Sequence, residues 1–168
     1  MDWLWLGFWG FWLIAVLVVL AYGWVILFGA PYVPTLKPQR QAAIKLLNLK
    51  QGQHFVDLGC GDGSLLVLAA KQGWQATGYE LNPFLVLVAW LRTRRYGRRV
   101  RVVWGSFWRA DLSQVDGVFV FLIDHYMTKL DRLLNDGPKP LRVVSNSFRI
   151  PGRSYSQKQG PLFLYIYK

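Results

Sequence analysis

Residues 56–63 read VDLGCGDG. The run closes a short apolar stretch, 54–58, and opens a segment, 64–72, whose apolar residues recur at helical spacing. That order, strand, glycine loop, helix, is one unit of an alternating fold. Gly59, Gly61 and Gly63 reach backbone angles closed to other residues and let a ligand lie against the main chain, while the helix start offers free N–H donors. The loop is therefore read as a ligand cradle.

Outward from this loop the alternation continues. Upstream, 36–50 reads as a helix with Thr35 as its cap, Pro38 in its first turn and an apolar stripe of Ala43, Ile44 and Leu47, ended by Gly52. Downstream come a strand at 75–80 and a helix at 83–96 closed by Gly97. Strands follow at 100–104, 117–122 and 141–145, with a helix at 126–134 between the last two. The end, GPLFLYIYK (160–168), reads as a final strand in a closing hairpin. This pattern predicts an α/β, Rossmann-like, mostly parallel sheet covered by helices on both faces.

The glycine loop departs from the dinucleotide fingerprint at two places. Ser64 stands where Gly or Ala would be needed, and Asp57 precedes the first glycine by two residues. A carboxylate there would repel a pyrophosphate and suits a ligand with a positive charge, such as the ammonium and sulfonium of S-adenosylmethionine. Glu80, 21 residues after Gly59, ends the second strand in GYELNP, where a carboxylate can accept both ribose hydroxyls. Asp62 has two readings: orienting the methionine moiety, or hydrogen-bonding its own turn. The lone Cys60, between two glycines, reads as a small loop filler. With no partner at metal-ligand spacing, it excludes a cystine framework and a structural metal.

Asp57, the three glycines and Glu80 stand as in the class I, seven-β-strand S-adenosylmethionine-dependent methyltransferases, which this chain resembles. An apolar segment followed by PYVPT (31–35), VDLGCGDG and GYELNP is similar, more narrowly, to the small membrane-anchored protein-lysine methyltransferases, whose mitochondrial members modify the adenine-nucleotide carrier and the ATP synthase c-ring protein. The likeness covers most of residues 1–125. It implies a cofactor-binding set of Asp57, Gly59, Cys60, Gly61, Asp62, Gly63, Glu80, Asn82, Ser106 and Phe107. Ser106 takes the place where many such enzymes have an acid near the adenine amine. After the fourth strand, FLIDHYM (121–127) lacks the Asn-Pro-Pro-Tyr of base and glutamine amino-methylating enzymes and offers Asp124, His125 and Tyr126. These three are candidates to orient an acceptor amine and take its proton. Alternatively, they cap the helix that follows.

The N-terminal stretch has a different chemistry. No residue from Trp3 to Leu36 is charged, and aromatics crowd both ends of this stretch, Trp3 to Trp12 against Tyr22, Trp24 and Phe28. A single transmembrane helix is expected over 1–29, a linker over 30–36 and the methyltransferase domain over 37–168. A cleaved signal peptide fits less well, because Asp2 replaces a basic start and Ala30 is followed by Pro31. All 20 Lys and Arg residues follow the anchor, which places the domain in the cytoplasm, and the missing basic presequence favours a bacterial or archaeal inner membrane.

The net charge of +11 calls for an anionic neighbour. RTRRYGRRVR (92–101) carries six arginines and is a candidate for anionic lipid, with RNA phosphate as the rival. PFLVLVAWL (83–91) is apolar around its circumference, a pattern that demands burial on all sides. The expected activity is methyl transfer to a lysine of a membrane-associated protein. A lipid or quinone acceptor, an RNA acceptor and a non-enzymatic scaffold are the alternatives.

Overall fold

The computed structural model describes residues 2–28, 33–137 and 140–168. The chain falls into two units, residues 1–31 and 32–168. The first holds one helix, α1 (Asp2–Phe28), of 27 residues. At ~1.5 Å per residue it is about 40 Å long, against a hydrocarbon layer of ~30 Å. Its stretch Trp3–Leu20 is long and apolar enough to cross a membrane. Neighbouring rings at its start meet edge to face, as Phe8 does with Trp5 and with Trp12, both at 6.3 Å. The expected second aromatic belt, in the side chains of Tyr22, Trp24 and Phe28, and the linker's residues 30–32 lie outside the described residues.

The second unit runs α2 (Lys37–Leu47), β1 (His54–Leu58), α3 (Ser64–Lys71), β2 (Gln75–Glu80), α4 (Pro83–Thr93), β3 (Val100–Trp104), β4 (Gly117–Val120), α5 (Met127–Asn135), β5 (Leu141–Asn146), β6 (Gln157–Gln159) and β7 (Leu162–Tyr167). Seven strands form one sheet in the order β3-β2-β1-β4-β5-β7-β6. The first five are parallel; β7 runs antiparallel to β5, and β6 to β7, giving the closing hairpin.

Alternation along each central strand builds two cores. Phe55, Phe119, Val144 and Leu164 face Ala43, Leu47, Leu66 and Ala69 of α2 and α3. Val56, Val118, Val143 and Tyr165 face Met127, Leu130 and Leu134 of α5. Burial on both faces is why these strands read as continuous apolar runs. The chain winds outward from β1 to β3, then returns to β4 and winds the other way. The loops after β1 and β4 therefore diverge, leaving a crevice at the carboxyl ends of the strands.

Several boundaries differ from the sequence reading. α2 starts after Leu36 with no side-chain cap from Thr35; instead the Leu36 N–H donates to Gln39 Oε1 at 3.3 Å. It stops at Asn48, left-handed at φ 43°, well before Gly52. Arg142 of β5 closes its end, donating from Nε to the Leu47 carbonyl at 2.6 Å and from Nη2 to that of Leu46 at 3.0 Å. α4 ends at Thr93, and residues 94–99 form 3-10 turns broken at Gly97. β4 ends at Val120, and α5 begins at Met127, after a 3-10 turn over Asp124–Tyr126.

The expectation that α4 is buried all round is overturned. Only Ala89 and Thr93 are buried, while Phe84, Leu87, Val88, Trp90 and Leu91 are 41–53 % exposed. The reason is position: α4 covers β2 and β3 at the edge of the sheet, and no element within 32–168 packs on its outer side.

Candidate active site

Parallel pairing brings the ends of β1, β2, β3 and β4 to one edge, and with them most of the candidate residues. The loop after β1 is tied down by its neighbour: the N–H groups of Gly59 and Cys60 both donate to the Tyr79 carbonyl, at 3.1 and 2.9 Å. Glu80, half-buried at the end of β2, accepts from the Gly61 N–H through Oε2 at 2.9 Å and from the Asn82 N–H through Oε1 at 2.8 Å. Each carboxylate oxygen keeps a second lone pair, so the residue that shapes the loop still has capacity for ribose hydroxyls.

The glycines divide the work. Gly59, at φ +106°, is exposed and has open space where a Cβ would stand, leaving the backbone bare toward a ligand. Gly63, at φ +74°, is buried, and a Cβ there would lie 2.9 Å from that of Ala89. It serves the close approach of α4 to the start of α3. Cys60 is also buried; its Sγ would be 2.6 Å from a Cβ on Gly78. Burial pushes its thiol well up, reinforced by the negative charge of Asp57, so Cys60 is inert packing under the loop.

Asp57 is 3 % exposed, and among the described residues its carboxylate meets no hydrogen-bond partner. Burial holds it well above the ordinary carboxylate range, and the charges of Glu80 and then Asp62 raise it further. A buried acid beside two others, bordered by bare backbone at Gly59, is a site short of positive charge. The sulfonium and ammonium of S-adenosylmethionine fit that shortage; a phosphate ligand would worsen it.

Asp62 takes the second of its two readings. It accepts from the Ser64 N–H at 3.0 Å and from Ser64 Oγ at 2.8 Å, and pairs with Arg92. Burial alone would raise its carboxyl, but the Ser64 and Arg92 hydrogen bonds outweigh burial and hold it low. Asn82 spends its side chain on capping α4, Oδ1 accepting from the Phe84 N–H at 2.9 Å. Ser106 likewise caps the short turn Phe107–Arg109. That turn lies beside Glu80, because Glu80 pairs with Trp104 and the Gly105 N–H donates to the Glu80 carbonyl at 2.9 Å.

Asp124, His125 and Tyr126 are exposed on the 3-10 turn beyond β4, and none gives α5 a side-chain cap. The capping alternative is thereby removed. Tyr126 packs on Trp108 at 6.0 Å between ring centres and on His125 at 5.1 Å. Three participants escaped the sequence reading. Gly78 seats Cys60, and its signal was a glycine inside a strand. Trp108 joins the two sides of the crevice, and Arg92 reaches the cofactor loop; neither carries a local signal.

Comparison with known proteins agrees with this geometry. The model of the ANTKMT methyltransferase domain matches residues 57–157. The lysine N-methyltransferase of the ATP synthase c-ring protein from Xenopus laevis is 35 % identical over 124 residues, covering 72 % of this chain and 54 % of that protein. A protein-lysine N-methyltransferase of Saccharolobus islandicus is 33 % identical over 127 residues, covering 73 % of this chain and 79 % of its own. The chain thus spans about half the length of the vertebrate relatives and more of the archaeal one. Among solved structures, an RNA methyltransferase from Salinibacter ruber in complex with S-adenosyl-L-homocysteine superimposes with a TM-score of 0.73 at 26 % identity, over 80 % of this chain and 92 % of that one. With the motif glycines, both acids and the strand order all in place, the chain belongs to the ANTKMT methyltransferase domain family.

Proposed function

We propose that the protein is an S-adenosylmethionine-dependent lysine N-methyltransferase, held to a membrane by α1 and acting on a membrane-associated protein. The observation that carries the cofactor is the unpartnered, buried Asp57 beneath the open backbone of Gly59. Asp57 meets the positive end of the cofactor, Glu80 its ribose, and the Gly105–Phe107 stretch its adenine. Bound there, the cofactor supplies a methyl carbon activated by a sulfonium.

The chain's own task is to present a neutral amine in line with that carbon. Holding a lysine of pKa ~10.4 deprotonated near pH 7 costs about 4–5 kcal/mol. Asp124 and Tyr126, on the turn beyond β4, orient the amine, and His125 takes its proton. Placement of the two reactants contributes much of the remainder. The lysine acceptor is supported by the relatives from Xenopus laevis and Saccharolobus islandicus, and by an adenine nucleotide translocase lysine N-methyltransferase of Mus musculus at 37 % identity.

The length and apolarity of α1 support a single-pass anchor, and the basic residues after it support a cytoplasmic domain at a cell inner membrane. The arginines of 92–101 meet anionic lipid. The test incubates the purified protein and methyl-labelled cofactor with membranes from a strain lacking the gene, then separates protein, lipid and RNA. Label in a protein band, absent with Asp57→Ala, is the expected result; label in lipid or RNA moves the acceptor to that class.

A further inference from the structure

The outer face of α4 is the largest feature that the catalytic reading leaves unused. Phe84, Leu87, Val88 and Leu91, spaced i, i+3, i+4, i+7, form one continuous stripe, each at least 41 % exposed. Trp90 flanks it at 52 %, and Trp104 at the end of β3 is 69 % exposed, its indole N–H donating to the Leu81 carbonyl at 3.1 Å. An apolar patch of this extent marks an interaction surface. Its far end runs into Arg94, Arg95, Arg98, Arg99 and Arg101, all exposed, and no acid occurs between Pro83 and Arg101.

We propose that this face is a membrane-insertion surface: the stripe of α4, with Trp90 and Trp104, sits in the headgroup–acyl boundary of an anionic bilayer, and the five arginines bind its headgroups. Charge decides the occupant. An RNA would use the arginines but leave an aliphatic stripe in water, whereas a bilayer satisfies both halves, with the indoles at the depth where tryptophan concentrates. Arg92 is excluded from the lipid set because its guanidinium is turned back onto Asp62. The inference deepens the reading of the protein as a membrane enzyme and rests on it. It also gives the cofactor cradle a place. α4 begins just after the cradle's Glu80, and Trp104 pairs with Glu80 across the strands, so the inserted face borders the mouth. An acceptor lysine just outside the headgroups then stands level with the crevice.

The test places a fluorescent label at Leu87→Cys, at Trp104→Cys and, on the opposite sheet edge, at Gln159→Cys, in the full-length protein reconstituted in phosphatidylglycerol-containing vesicles. Cys60, buried with its thiol held protonated, does not compete for the label. Quenching by doxyl-labelled lipid at 87 and 104 but not at 159, diminished by Arg98→Glu with Arg99→Glu, is the expected result. Equal quenching at all three positions overturns the proposal. So does protection of position 87 from both lipid-borne and aqueous quenchers, which means that protein covers the stripe, either α1 or a second copy. Methyl transfer by the same labelled proteins is measured in parallel, so loss of the surface and loss of the activity are told apart.

Discussion

The ammonium of Lys129 lies 4.3 Å from the centre of the Trp108 ring, and Trp108 packs in turn on Tyr126. Lys129 belongs to the first turn of α5 and Trp108 to the loop after β3, so one cation–π contact joins the acceptor side of the crevice to the adenine side. Exposed contacts of this kind contribute about 0.5–1 kcal/mol. Trp108→Ala removes that contact and the ring that backs Tyr126. Turnover on a lysine substrate should fall at least tenfold while cofactor affinity changes less than about threefold. Single-turnover kinetics beside calorimetric titration would show the split; an equal loss in both would assign Trp108 to cofactor binding alone.

Asp57 pits stability against ligand binding. Its folded pKa is raised, so the folded protein binds this proton more tightly than the unfolded chain. The ionised carboxylate therefore costs stability, increasingly as the pH climbs from the unfolded value of ~3.9 through the folded one. Asp57→Asn should raise the melting temperature of the ligand-free protein at neutral pH, by about 2–4 °C per kcal/mol recovered. Affinity for S-adenosylmethionine should fall by about 10- to 100-fold. In the wild type, acidification through the folded pKa should weaken binding of the cationic cofactor, with proton release on binding seen as a buffer-dependent heat. A ligand-free variant that melts lower would refute the account.

Gly59→Ala and Gly63→Ala should fail differently. Both place an alanine at positive φ, at a cost of about 1–2 kcal/mol. At Gly63 the new methyl also meets Ala89, adding about 1–3 kcal/mol of overpacking. Thermal melts should rank Gly63→Ala as the less stable. Titration should rank Gly59→Ala as the weaker binder relative to its stability, since its methyl points into space the cofactor needs.

The closing hairpin is fastened to α5 through Asp131. Its carboxylate accepts from Tyr167 Oη at 2.7 Å and pairs with Arg153, whose Nη2 also donates to Asn135 at 2.9 Å. Asp131→Ala should lower stability by about 1–3 kcal/mol, read as a drop in melting temperature, with the catalytic constants little changed. A variant that melts normally but loses turnover would instead tie the hairpin to catalysis.

The two acids and the glycine run were legible from the sequence because their spacing is local. Asp57, Gly59 and Glu80 declare a strand, a turn and the next strand's end within a few dozen residues, and hydrophobic alternation announces the parallel sheet around them. What each side chain does with that placement was decided elsewhere. Gly63 and Ala89 are 26 positions apart, and only the packing of α4 on α3 turns a loop glycine into a helix contact. Asp62 had two local readings, and it took the packing of α4 to bring Arg92 within reach and hold that acid to its own turn. The clearest case is α4. Its apolar circumference demanded cover, but a helix on the last parallel strand of a sheet has a neighbour on one side only, so the composition fixed that Leu87 and Trp90 must avoid water while the sheet edge left them facing outward. Periodicity is set by nearest neighbours along the chain; which face is covered depends on where the sheet ends, and only the tertiary structure contains that.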